Sequence, residues 1–246
     1  MDFEFLASTF VTLVKAVPTT LELFGASVVL GALLAIVLVV MRTVGGPILS
    51  AFSRVYVFIF RGSPLLIQMF LIYYGLGQFA VIRDSFAWPV LREPYWCAVL
   101  ALAFCTAGYQ AEIIRGGLQA VPPREIEAAR SVGMSGFLLV RRIIAPITLR
   151  AMLPAYSTEI ILMVKSTALA SLVTVWEVTG TAQRLISQTY RTMEVFLVAT
   201  LIYLVINFII VRLIALLEHR LSPHLRERPR ISGEGRTVTS LETSHD

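Results

Sequence analysis

Apolar residues run through this chain in long blocks, not at the three-to-four-residue spacing of a soluble amphipathic helix. Residues 23–41, 62–82, 94–111 and 195–211 contain no Asp, Glu, Lys or Arg. A further apolar region, 151–176, is interrupted only by Glu159 and Lys165. A helix that crosses a bilayer needs roughly 20 apolar residues at about 1.5 Å rise each. The pattern therefore predicts an all-α integral membrane protein with about five transmembrane helices, near 18–42, 55–82, 94–115, 147–172 and 193–217. These lie in one membrane domain, 1–221. The longest polar connection, 116–146, falls between the third and fourth spans. Residues 222–246 are polar, poor in large apolar side chains and expected to be disordered.

Composition agrees with this picture. The chain of 246 residues is 57% hydrophobic and only 15% charged, where a soluble domain carries about 25%. The charges that remain are unevenly placed. Fifteen basic residues fall in 42–61, 115–150 and the segment after Val211, all on one side of a five-span chain. The other side holds only Lys15, Arg83, Arg92, Arg184 and Arg191. Basic loops stay cytoplasmic, so the N-terminus is expected outside and the C-terminus inside. The net charge of +5 then reflects topology and contact with lipid headgroups. No aromatic-plus-basic motif points to nucleic acid.

Several chemistries find no support. The opening MDFEFLASTF carries acids where a secretory signal would be basic. Cys97 and Cys105 share one predicted helix about 12 Å apart along its axis, too far for a disulfide. Cys/His clusters with zinc spacing, a G-x-S-x-G elbow and a G-x-x-x-x-G-K-[ST] phosphate loop are all missing from the sequence. The reading is a non-enzyme with no catalytic residues, no metal ligands and no bound cofactor. If it moves a solute uphill, energy comes from an ion gradient or from another polypeptide.

The inside connection has its own grammar. Pro122-Pro123 stops one helix and suits the first turn of the next. Glu125 and Glu127 then sit near the positive end of that helix, and Gly133 is placed to close it in a left-handed cap. Ser135 suits the start of a second helix leading back to the bilayer. Ile126, Ala129 and Val132 share a face with Ala128 beside them. That face lacks the Trp, Phe and Leu of an interfacial anchor. It fits either a groove in another protein or packing against its own loop.

The order Glu127-Ala128-Ala129, then Gly133, Ile143 and Ala145-Pro146 resembles the EAA loop of ATP-binding-cassette importer permeases. Ala145 stands where the family pattern has Leu. FRGSPLLIQMFLIYYGLGQF (60–79), YQAEIIRGGLQAVPPREIEAA (109–129) and LPAYSTEIILMVKSTALAS (153–171) extend the resemblance over nearly the whole chain. They are most similar to polar amino-acid permeases of the histidine/basic amino-acid and octopine types. The family usually has threonine where Ser63 stands and a Gly-Gln or similar pair near Arg124-Glu125. The resemblance implies a type I importer fold whose coupling helix, with Ile126, Glu127, Ala128, Ala129, Arg130 and Gly133, docks on a cytoplasmic ATPase. ATP and Mg would be held by two copies of that ATPase. The other implied partners are a sister permease or second copy, an extracytoplasmic solute-binding protein and inner-membrane lipid.

Glu159 and Lys165 are the costly residues, since a charge at the bilayer centre costs roughly 2.5–3.5 kcal/mol. At i, i+6 they lie about 120° apart around a helix and make a poor pair. Each needs another partner: a neighbouring helix, the interface, or a substrate with ammonium, carboxylate and cationic side chain. By the resemblance, Glu159 would receive that cationic side chain. Arg61-Gly62-Ser63-Pro64 reads as a helix break, with Ser63 as N-cap and Pro64 in the first turn. It lines a pathway or merely starts a helix, and Gln68 one turn on is a candidate polar lining residue. Glu112 and Arg115, at i, i+3, suit a structural pair. An ion-coupled secondary transporter using Glu159 is the alternative, but five spans do not divide into inverted repeats.

Overall fold

Proline punctuates the helices. In the computed structural model, which describes residues 2–221 and side chains as far as 216, every regular element is helical. The expected disorder of 222–246 lies outside the described residues. Helices α1 (Phe3–Val14) and α2 (Val17–Thr43) follow each other almost without interruption. Helix α3 (Gly46–Gly62) ends at Ser63, whose backbone is extended at φ −107°, ψ 147°. A residue before proline is driven out of the helical region, and Pro64 cannot donate a backbone hydrogen bond. The chain accordingly turns through 106° into α4 (Leu65–Phe70), a π-helical turn at Leu71–Gly75 and a 3₁₀ turn at Leu76–Gln78.

Two short helices, α5 (Ala80–Arg83) and α6 (Trp88–Leu91), lead to α7 (Pro94–Gln119), which again starts at a proline. The polar connection holds α8 (Pro123–Ser131) and α9 (Gly136–Leu139). A π-helical stretch at Val140–Ile144 then joins α10 (Ala145–Ser166), which tightens to a 3₁₀ segment, Thr167–Val173. The final elements are α11 (Val178–Thr189) and α12 (Thr192–Leu221).

Three helical stretches, Phe3–Thr43, Pro94–Gln119 and Thr192–Leu216, are long and apolar enough to cross a membrane. Two bent pairs, at Gly46–Gln78 and Gly136–Thr189, raise the number to five when each pair is one span. The architecture is thus all-α with several candidate spans. Helix α7 is the central post. It packs most extensively on α2 and next on α10, and twelve of its residues are buried. Gly31 of α2 allows the closest approach, because a Cβ there would collide with the side chain of Thr106. Around this post, rows of large apolar side chains stay exposed, among them Val29, Leu33 and Ile36 on α2 and Leu201, Leu204 and Phe208 on α12. Such rows suit lipid or another subunit, not water.

Candidate functional site

A cavity of ≈ 360 Å³ opens where the Ser63–Pro64 break faces α7 and α10. Ser63, Pro64 and Leu65 form one wall, Cys105, Thr106 and Tyr109 a second, and Glu159, Leu162, Met163 and Ser166 the third. Helical spacing explains the last two: Thr106 and Tyr109 are i, i+3 on α7, while Glu159, Leu162, Met163 and Ser166 recur at three and four on α10. The cavity is mostly apolar with one carboxylate at its edge.

Glu159 is 8% exposed. Thr106 Oγ1 donates to its Oε1 at 2.7 Å. Gln110 Nε2 in turn donates to Thr106 Oγ1 at 3.2 Å. This chain of two bonds runs along α7 and fixes the direction of the carboxylate on α10. Glu159 forms no ion pair with any described residue. The nearby Arg61 acts on this carboxylate electrostatically but does not reach it as an ion pair, so its charge is only partly compensated.

The sequence-predicted residues divide around this cavity. Ser63 and Glu159 line it together. Gln68 is buried beside it and ties the helix break: its Nε2 donates to Ser63 Oγ at 2.9 Å, Ser63 O at 3.1 Å and Phe60 O at 2.9 Å. Lys165 is exposed and outside the lining, turned away from Glu159 as their spacing requires. Ser63 does not cap the following helix. Its hydroxyl donates backward to Ile59 O at 2.7 Å, and Pro64 takes the cap position. Thr106, Tyr109 and Gln110 were not anticipated. The available signal was a polar pair at i, i+4 inside the uncharged block 94–111.

The expected structural pair is present and larger than expected. Arg115 Nη2 lies 2.7 Å from Glu112 Oε2, and Arg42 from the end of α2 pairs with Glu112 Oε1. Among the described residues, no three His, Cys, Asp or Glu side chains gather as a metal site would require.

The second feature is α8. Pro122 occupies the cap position in extended conformation and Pro123 opens the helix. At its other end Gly133 has φ +84°. Its N–H donates to Arg130 O at 3.0 Å, and that of Met134 to Ala129 O at 3.0 Å. These are the paired bonds of a Schellman turn. Glu127, Ala128 and Arg130 are exposed, Ile126 is half-buried and Ala129 is buried. The anticipated Ile126–Ala129–Val132 face is therefore split, for Ala129 turns toward the chain's own loop. Val132 and Phe137 stand 71% and 78% exposed.

The profile of a family described as the binding-protein-dependent transport system inner membrane component matches residues 27–223. The chain is 53% identical over 225 residues to the octopine transport system permease protein of Rhizobium radiobacter, 92% of each chain being covered. It is 50% identical over 229 residues to the nopaline transport system permease protein of Agrobacterium fabrum, covering 93% of this chain and 95% of that one. The histidine/lysine/arginine/ornithine transport system permease protein of Salmonella typhimurium is 38% identical over 213 residues, with 86% and 91% covered. A solved amino acid ABC transporter with histidines superposes with a TM-score of 0.79 at 32% identity, over 89% of this chain and 99% of that one.

Proposed function

The chain belongs to the family of inner membrane components of binding-protein-dependent transport systems and is a permease subunit of an ATP-binding-cassette importer; we infer from this premise that its cargo is an opine or a basic amino acid. The observation that carries the inference is Glu159, a buried carboxylate held by Thr106 in the lining of a cavity, with Arg61 nearby but no ion pair to any described residue. An ammonium or guanidinium on the substrate would supply the paired cation. Relatives named for octopine, nopaline and basic amino acids support the same cargo, since all of these carry a cationic group beside carboxylate. Ser63 would contact the substrate across the cavity, Gln68 would hold the break in shape, and Lys165 would meet a carboxylate from its exposed position.

In this reading the N-terminus is extracytoplasmic and α8 is cytoplasmic, in a bacterial inner membrane. Two ATPase subunits, holding ATP and Mg, grip the exposed Glu127, Ala128 and Arg130 of α8, with Ile126, Ala129 and Gly133 fixing its pose. A sister permease or second copy completes the path, and an extracytoplasmic binding protein delivers the substrate. Closure of the ATPases moves α8, and the π-helical joint at 140–144 passes that motion to α10, on which Glu159 sits.

The test is uptake into proteoliposomes holding this chain with its ATPase, sister permease and binding protein. Glu159→Gln is expected to reduce the preference for cationic over neutral substrates about thirtyfold, the equivalent of ~2 kcal/mol for losing one partner of a buried charge pair. An unchanged preference would remove Glu159 from the site. Uptake driven by a proton or sodium gradient in the absence of ATP would overturn the energetic scheme.

A further inference from the structure

A second cavity, ≈ 590 Å³, lies between the end of α2, helix α3 and α7. Arg42, Arg54 and Arg61 face it, against the single carboxylate of Glu112. Both oxygens of that carboxylate are already engaged, one by Arg42 and one by Arg115 outside the lining. Arg54 forms no ion pair with a described residue. The Arg61 guanidinium lies 5.1 Å from the centre of the Tyr109 ring and acts on the Glu159 carboxylate at longer range, with no ion pair among the described residues. The lining thus holds an excess of positive charge in guanidinium form, the side chain whose planar fork matches phosphate oxygens.

The remaining wall is apolar. Val57 and Phe58 complete it, and Phe58 is 79% exposed. Phe52, Val55 and Ile59 continue an exposed apolar surface along the same helix. Guanidiniums beside an exposed apolar wall, at the end of α2 and along α3, match a phosphate ester bearing hydrocarbon better than a free solute.

We propose that this cavity binds a phosphate group, supplied by the headgroup of an anionic phospholipid, with Arg54 and Arg61 as its principal ligands and Phe58 against the upper acyl chain. Tyr109 borders this cavity and the Glu159 cavity alike. The bound headgroup would therefore neutralise Arg61 next to the path and leave Glu159 as the dominant charge facing a cationic solute. The site is independent of which substrate the chain carries.

Full-length protein in phosphatidylcholine nanodiscs is titrated with phosphatidylglycerol, read by native mass spectrometry, and separately with inorganic phosphate, read by calorimetry. Retention of phosphatidylglycerol is expected, weakened about tenfold by Arg54→Gln, which removes a charge-assisted contact. Arg150→Gln, an exposed arginine outside the cavity, removes the same charge and should leave binding unchanged. Arg54→Lys keeps the charge without the fork and should fall between. Binding of inorganic phosphate alone, with the same dependence on Arg54, would support the phosphate site and assign it to a soluble anion. If neither probe binds, or Arg54→Gln and Arg150→Gln weaken binding equally, the proposal is overturned.

Discussion

Glu159 and Lys165 stand six residues apart on one helix, and the fold gives them opposite surroundings. The carboxylate is buried against Thr106 and the ammonium is exposed. Thr106→Val keeps the shape of the side chain but removes the donor. It should raise the KM for a cationic substrate about fivefold to tenfold, corresponding to ~1–1.5 kcal/mol for one hydrogen bond, with maximal uptake little altered. An unchanged KM in the same proteoliposome assay would mean that Thr106 does not orient the carboxylate. Glu159 was legible as a charge inside an apolar block. Thr106 was not, for a physical reason: hydroxyls in apolar helices mostly bond to their own preceding turn, as Ser166 does to Leu162 O and Thr200 to Phe196 O. A threonine that bonds across to another helix looks the same in sequence. What sets it apart is Gln110 four residues on, whose amide bonds to its hydroxyl, and Gly31, which lets α2 approach its methyl group.

Helix α8 shows how far local rules reach. Its prolines, acidic first turn and closing glycine all act within one segment, and each was legible because no distant partner decides it. Gly133 at φ +84° closes the Schellman turn, a conformation that costs a branched side chain about 1–2 kcal/mol. Gly133→Val should therefore tilt α8 away from its exit toward α9. The assembled transporter should keep its membrane insertion and basal ATP hydrolysis, while substrate-stimulated hydrolysis and uptake fall together by about tenfold. Normal stimulation would show that the turn tolerates the change. The Ser63–Pro64 break was harder to read. A serine between two helices can serve the one before or the one after. Here, Pro64 forces an extended Ser63 backbone and leaves its hydroxyl to Ile59.

At the scale of the whole molecule, the five apolar blocks were plain because hydrophobic length alone defines them. The elements that join them were not, and α1 and α11 went unforeseen. The place of α11 depends on Glu177, at 0% exposure the most deeply buried acid of the described residues. Its Oε1 accepts from Gly180 N at 2.8 Å and so caps α11, while Oε2 accepts from Tyr203 Oη at 2.5 Å on α12 and Thr20 Oγ1 at 3.5 Å on α2. Three helices meet at one carboxylate. Glu177→Ala should lower the stability of the detergent-solubilised chain by roughly 3 kcal/mol, and Tyr203→Phe by about 1 kcal/mol, read as ordered decreases in Tm. Equal Tm values for both variants and the parent would deny the network a structural role.

The two π-helical stretches, Leu71–Gly75 and Val140–Ile144, carry one more consequence. A π turn holds one extra residue in a helix that is otherwise regular. The widened turn absorbs that residue, whereas one added to or removed from a regular α-helix turns everything beyond it by about 100°. A one-residue deletion at 140–144 should revert the turn to an ordinary α-turn and leave Glu159 facing Thr106, while the same deletion in α10 before Glu159 would swing it to a different neighbour. In these two places the chain can lose a residue and still present the same side chains beyond it.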